Sequence, residues 1–414
     1  MELRHSGNLL NRIAFVWVWV YFFSVPFEYS IVLREPLESY ARVTGVLSLL
    51  AGVAVVAIEG RARRWEPVHW ITLLYLSLIS ISLLWDRAPG KEAEHALREY
   101  YQVVPVLFLS WQFARDVERR TLLIVGYLTG GILSSLLMMR EAFVLHEALY
   151  STFRYSVGEW NPNELAIVFA VGLPLSVYLA IDRSVCASRR QVVIAWLYLP
   201  LASTALLLTG SRTGLVTGAV GLMGIPFSLS KASGAGRYGL ASIFALLLLI
   251  GVTMIPPGTW EILMTVGSQV SSGDLDERAK IWRFGWHAFW DSPLFGSGVG
   301  SFRWASGSLY NAHSTYLEVL VEQGMTGLLL ILLVIEVSFA QLKRVAASSR
   351  FAGGLLLLTW ATAATVGHLA ERRVTWVVFS LAALFACNPV IRRVNPREEV
   401  RCSPPEIGKM LGGS

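Results

Sequence analysis

Residues 314–340 read STYLEVLVEQGMTGLLLILLVIEVSFA. This stretch is longer than the roughly 20 apolar residues that carry a helix across a bilayer. It holds three carboxylates, Glu318, Glu322 and Glu336. An acid inside a membrane needs a partner, and Glu318 and Glu322 call for an arginine or a histidine. Working outward, similar stretches lie at 11–27, 42–58, 68–85, 100–114, 121–139, 164–181, 191–209, 213–229, 238–255, 351–369 and 374–391. The fourth, 100–114, is short enough to be re-entrant. The expected fold is an all-α polytopic membrane protein with about 12 transmembrane helices.

Composition agrees. Of 414 residues, 54% are hydrophobic and only 15% charged, with a mean hydropathy of +0.53. A soluble domain carries about 25% charge, so a purely soluble enzyme is excluded. Aromatics at 12% and the long apolar runs exclude disorder. Three cysteines, Cys186, Cys387 and Cys402, are too few and too scattered for a disulfide framework or a zinc site. The net charge of +6 does not indicate nucleic acid here, because arginines hold cytoplasmic loops in place. The first apolar stretch carries Trp17, Trp19 and Tyr21 and no small-residue cleavage site, unlike a signal peptide.

Basic residues set the orientation. The side that holds both termini takes 21 of the 35 Lys and Arg and 9 of the 29 acids, and the other side takes 14 and 17. Both termini are therefore expected in the cytoplasm. The expected organisation is a bundle of nine spans (1–255), a large periplasmic loop (256–313), three further spans (314–391) and a cytoplasmic tail (392–414). In the large loop Leu275, Ala279, Trp282, Trp286 and Phe289 recur at helical spacing. Trp282, Trp286 and Trp290 form a stripe that suits a helix lying in the membrane interface, or one packed on the bundle by that same face.

Four stretches on the outward side carry candidate chemistry. Arg212, in Gly210-Ser211-Arg212-Thr213-Gly214, sits at the tip of a tight hairpin. It is either a snorkelling anchor or a ligand-facing guanidinium. Arg278 begins the helix of the large loop, just after Asp274 and Asp276. Those acids cap the helix, stand in solvent, or bind a divalent metal with a diphosphate. His313, in Asn311-Ala312-His313-Ser314, lies at the mouth of span ten and titrates near neutrality. It is either a helix-end histidine or a base for a hydroxyl. Pro293-Leu294-Phe295-Gly296-Ser297-Gly298-Val299-Gly300 follows no strand and is not a dinucleotide loop; its N–H groups suit a tight turn facing an anion. No Ser-His-Asp, Cys-His or clustered metal set is evident. Arginine forks match phosphate, and a histidine activates a hydroxyl. Together they suit attack of an alcohol on a phosphate-activated carbon.

Beyond this chemistry, the stretch from Leu208 to Leu328 resembles the bacterial O-antigen ligase and polymerase superfamily. The shared features are Ser211-Arg212, Glu277-Arg278 with Trp282, Pro293…Gly296-Ser297-Gly298, and His313…Leu317…Glu322-Gln323-Gly324…Gly327. Asn161-Pro162-Asn163-Glu164-Leu165-Ala166 is similar to that family as well. The resemblance implies a GT-C-like membrane fold. It implies a glycosyltransferase that moves an undecaprenyl-diphosphate-linked glycan to an acceptor hydroxyl at a periplasmic active site in the inner membrane. Arg212 and Arg278 would hold the diphosphate, and His313 would be the base. No metal and no cofactor are expected, and direct displacement would invert the anomeric carbon. The expected partners are the carrier-linked donor, membrane lipids and a lipid A–core acceptor. A polymerase would use a second carrier-linked repeat. A protein O-glycosyltransferase is disfavoured, since that group often carries a further C-terminal soluble region. A transporter or flippase of a lipid-linked anion would also want outward arginines, but the inverted repeats, or broken helices in matching halves, that it requires are not evident.

Overall fold

A computed structural model describes residues 2–31, 39–88, 90–145, 154–181, 187–225, 242, 245–246, 248–249, 251–265, 278–308 and 310–387. Its regular elements are helices: α1 (Glu2–Ser24), α2 (Tyr40–Glu59), α3 (Pro67–Ser82), α4 (Gly90–Val103), α5 (Pro105–Phe113), α6 (Val117–Arg140), α7 (Pro162–Ile181), α8 (Arg189–Leu208) and α9 (Arg212–Leu222). After these come α10 (Pro257–Met264), α11 (Arg278–Asp291), α12 (Phe302–Ser306), α13 (Thr315–Leu342), α14 (Ala347–Ala364) and α15 (Arg373–Ala386).

Among the described residues, six segments are long and apolar enough to cross a membrane: Leu9–Phe27, Tyr40–Glu59, Val117–Leu145, Pro162–Ala180, Arg189–Leu208 and Thr315–Leu342. The chain is a polytopic membrane protein. Spans three and twelve are represented by shorter apolar helices, α3 and α15. The stretch expected as span four is divided between the end of α4 and α5, with proline at the first position of α5; proline supplies no N–H and favours a helix start. The stretch expected as span nine is described only in part, and the acids Asp274 and Asp276 and the tail 392–414 lie outside the described residues.

Polar side chains set the helix starts. Ser39, Asp116, Ser188, Ser211 and Ser314 each accept from a backbone N–H in the first turn of α2, α6, α8, α9 and α13. At the centre stands α7, the most enclosed of these six segments, while α2 and α13 are the least enclosed. It packs on α6, α8, α9 and α14. Tyr198 of α8 donates to the Phe169 carbonyl of α7. A Cβ at Gly131 or Gly172 would strike the Tyr198 ring, so glycine at both positions lets three helices meet there. All of 373–385 is buried, which accounts for α15: packed against α5, α13 and α14, it is an enclosed helix despite its 14 residues.

α13 is broken. Gly324 has φ 67° and ψ −167°, a conformation favoured only by glycine. The Pro293–Gly300 turn docks into the break. Met325 N donates to Pro293 O (2.9 Å) and Thr326 N to Leu294 O (3.2 Å), while Ser297 N donates to Val321 O (2.9 Å) and Gly298 N to Glu322 O (2.9 Å). A Cβ on Gly324 would run into Leu294, and one on Gly296 into Glu322. A helix break at membrane depth is tolerated where other protein groups take up the freed backbone. The N–H groups of the turn are taken up within the protein: those of Ser297 and Gly298 go to α13 carbonyls, that of Val299 to Ser82 Oγ (3.1 Å) and that of Gly300 to the Glu322 carboxyl group.

Nor does α11 pack by its tryptophan stripe. Ile281, Gly285, Ala288 and Phe289 are its buried residues, and Gly285 lies against Phe302 and Leu317. Trp286 and Trp290 are exposed and stack edge to face at 5.9 Å. Trp282 is half-buried and bonds inward.

Candidate functional site

A cavity of about 470 Å³ opens where the starts of α7 and α11, the approach to α13 and the α14–α15 turn meet. One wall carries Asn161, Asn163 and Glu164. Facing groups are Arg278, Asn311 and His313, and the α14–α15 turn adds Gly367, His368 and Arg372.

The first wall is built by the sequence just before α7. Asn161 Oδ1 accepts from Asn163 N (2.9 Å), closing a local turn, with Pro162 at the first helical position. Trp160 is buried and meets the Tyr29 ring edge to face at 4.9 Å. Asn163 Oδ1 accepts from Arg154 Nη2 (2.7 Å) and from Ser211 Oγ (2.8 Å). Arg154 Nε also donates to Thr209 O (3.2 Å). These bonds lash the α8–α9 hairpin to the cavity wall.

His313 is held in an unusual backbone conformation. Its φ is 45°, and among the described residues no other non-glycine has a positive φ. Trp282 Nε1 donates to the preceding carbonyl, Ala312 O (2.9 Å), and Ser314 caps α13 behind it. Strain of this kind persists only where the surroundings impose it, and it concentrates at functional positions. Burial lowers the titration of the imidazole below its ordinary 6.5, and the charges of Arg278 and His368 lower it further. His313 is thus neutral near pH 7 and able to accept a proton.

His368 has the opposite surroundings. Its Nδ1 lies 2.5 Å from the Glu318 carboxylate and its Nε2 lies 2.8 Å from Glu371 Oε1. Burial opposes the charge, but the two carboxylates overcome it and raise His368 well above the ordinary histidine range. Glu318 thus finds the histidine partner the sequence called for. Glu322 does not: its Oε1 accepts from Phe302 N (3.2 Å) and its Oε2 from Gln323 Nε2 (3.2 Å). Arg372 pairs with Glu164 (2.9 Å), joining the start of α15 to that of α7. Thr315 Oγ1 accepts from Leu369 N (3.0 Å) and donates to Gly367 O (2.7 Å), which fixes the turn against α13.

Of the three expected site residues, Arg278 and His313 line the cavity. Arg212 is not among the lining residues; its Nη1 donates to Thr265 Oγ1 (3.2 Å), while the adjacent Ser211 reaches the cavity wall through Asn163. His368, Glu371 and Arg372 were not singled out from the sequence. The charged run His368-Leu369-Ala370-Glu371-Arg372-Arg373 between two apolar stretches was the available signal, of the same kind that marked Arg212.

Comparison with known proteins bears on the same region. Residues 197–332 match the family described as O-antigen ligase (Wzy_C). The chain is 23% identical over 351 residues to the exopolysaccharide production protein ExoQ of Rhizobium meliloti (strain 1021), covering 78% of each. The family match contains Arg212, Arg278 and His313, while Glu164, His368 and Arg372 lie outside it. With the motifs and the helical membrane fold, these similarities support the O-antigen ligase and polymerase family for this chain.

Proposed function

We propose that the protein is an O-antigen ligase. It would transfer an undecaprenyl-diphosphate-linked glycan to a hydroxyl of the lipid A–core oligosaccharide, at the periplasmic face of the inner membrane. The observation that carries this reading is the meeting of Arg278 and His313 in one cavity, where burial and the Arg278 charge lower the titration of the imidazole. In the proposed reaction the acceptor oxygen attacks the anomeric carbon while His313 takes the hydroxyl proton. The bond from that carbon to the diphosphate oxygen breaks, and the leaving diphosphate is held by Arg278, joined by Arg212 once its guanidinium turns from Thr265. Displacement from the opposite face inverts the anomeric centre, with no metal or cofactor taking part. Guanidinium forks suit this role because they match phosphate oxygens in pairs and stay charged.

The same proposal includes about 12 spans in a GT-C-like arrangement, cytoplasmic termini and a large periplasmic loop over 256–313. A second reading, polymerisation onto another carrier-linked repeat, is favoured by the similarity to ExoQ, whose name concerns exopolysaccharide production. Purified protein in lipid nanodiscs, given one carrier-linked donor and both acceptors in separate reactions, decides between them. Glycan joined to lipid A–core supports the ligase, and lengthened carrier-linked glycan alone supports the polymerase. Transport of the donor without any new glycosidic bond contradicts both.

A further inference from the structure

The bracket around His368 has a consequence for the charge of the cavity. Two carboxylate oxygens lie 2.5 and 2.8 Å from the two ring nitrogens. Contacts this short between nitrogen and oxygen each require a proton between them. Between two ionised carboxylates a neutral imidazole, with one N–H, can satisfy only one of the two, and a neutral ring beside a carboxylic acid is the state that a ¹⁵N spectrum tells apart. We propose that His368 is a fixed imidazolium of this cavity, a positioning residue whose charge disfavours a second charge nearby and which does not itself carry protons.

The surroundings support this assignment from every side. α13 supplies Glu318, and the turn before α15 supplies Glu371. Arg372 is engaged by Glu164 of α7. On the far side stand His313 and Arg278, and His95 of α4 acts on Glu371. The anions nearest His368 thus favour its charge, and the nearest cations disfavour a second charge on His313. Two histidines in one cavity are driven to opposite states, one able to accept a proton and one unable to release it. Because both nitrogens of His368 are engaged, its charge acts through the field and not through a bond to substrate. The inference rests on the transfer reading only for its effect on turnover; the charge state itself does not depend on that reading.

The test uses the full chain in nanodiscs, with ¹⁵N-labelled histidine. His368→Gln and His313→Ala assign the two resonances by their disappearance, and Glu371→Gln assigns the first by perturbing it should His368→Gln not accumulate. We expect His368 to show two protonated nitrogens from about pH 6 to pH 9, and His313 to be neutral at about pH 7. A neutral tautomer of His368 near pH 7 overturns the proposal. Turnover supplies the second arm. Removing the positive charge in His368→Gln should move the acidic limb of kcat/KM up by about 0.5–1 pH unit, while Glu371→Gln, which removes a negative charge, should not move it up. A purely structural bracket would lower the plateau in both variants with the limb in place, and that result also overturns the proposal. The spectrum needs no turnover, so its failure is distinct from failure of the transfer reading, which full activity of His313→Ala would show.

Discussion

Glu318 and Glu322 stand about one helical turn apart at the start of α13, and their surroundings differ in kind. Glu318 meets an imidazole in the wall of an open cavity. Glu322 is buried at the glycine interlock, where a backbone N–H and a neighbouring amide meet its oxygens. The motif residues divide in the same way. Arg278 and His313 belong to the cavity. Pro293, Gly296, Gly298 and Gly324 belong to the interlock, where backbone approaches backbone too closely for a Cβ at Gly296 or Gly324. One side places charge beside empty space, and the other uses its polar groups to repair a broken helix. A motif shared across a family can therefore hold the site together without touching substrate.

This division can be broken by mutation. The largest effect is expected for His313→Ala, which should lose about 10²–10⁴-fold in transfer because the proposed general base is removed. Its thermal unfolding should match the wild type; wild-type turnover in the purified variant would remove His313 from the chemistry. Arg278→Lys keeps the charge but loses the fork, and kcat/KM should fall about 10–100-fold, the equivalent of one charge-assisted hydrogen bond. On the interlock side, Gly324→Ala should destabilise by about 1–3 kcal/mol from the left-handed backbone alone, with the overlap on Leu294 added. Those molecules that fold should transfer at close to the wild-type rate. Normal stability with lost transfer would instead place Gly324 in the site.

A pH profile sharpens the comparison further. In the proposed reaction transfer requires neutral His313, whose titration is lowered by burial, Arg278 and His368. Activity should therefore persist as the pH falls through 6.5 and be lost only below it. Arg278→Gln removes a positive neighbour and should move that limb upward, even as the plateau drops. The smallest effect is expected for Glu322→Gln, which keeps an oxygen for the Phe302 N–H. It should cost about 1 kcal/mol or less in unfolding, with transfer near wild type.

The sequence made the membrane class legible because apolar runs of this length have few alternatives. It also pointed to His313, a titratable group at the mouth of a span, and to Arg278, a guanidinium opening the helix of the large loop. The interlock was not legible. Pro293–Gly300 offers N–H groups, but what accepts them depends on Gly324, which approaches only through the tertiary fold. His368 was absorbed into an apolar stretch that ran to residue 369, whereas α14 ends at Ala364 and leaves the histidine in a turn. Arg212 shows the limit of placing residues on a side: the hairpin is where expected, but side-chain direction takes its guanidinium to Thr265.

The central claim is that the cavity walled by the start of α7, His313 and the α14–α15 turn receives the lipid-linked donor. Photo-crosslinking tests it most directly. A photoreactive amino acid at Asn311, which lines the cavity, is compared with one at Leu294, exposed on the interlock. With a carrier-diphosphate sugar in nanodiscs, irradiation should join donor to position 311 and not to position 294, and excess unreactive carrier diphosphate should suppress the product. Crosslinking at 294 with none at 311 would contradict the account.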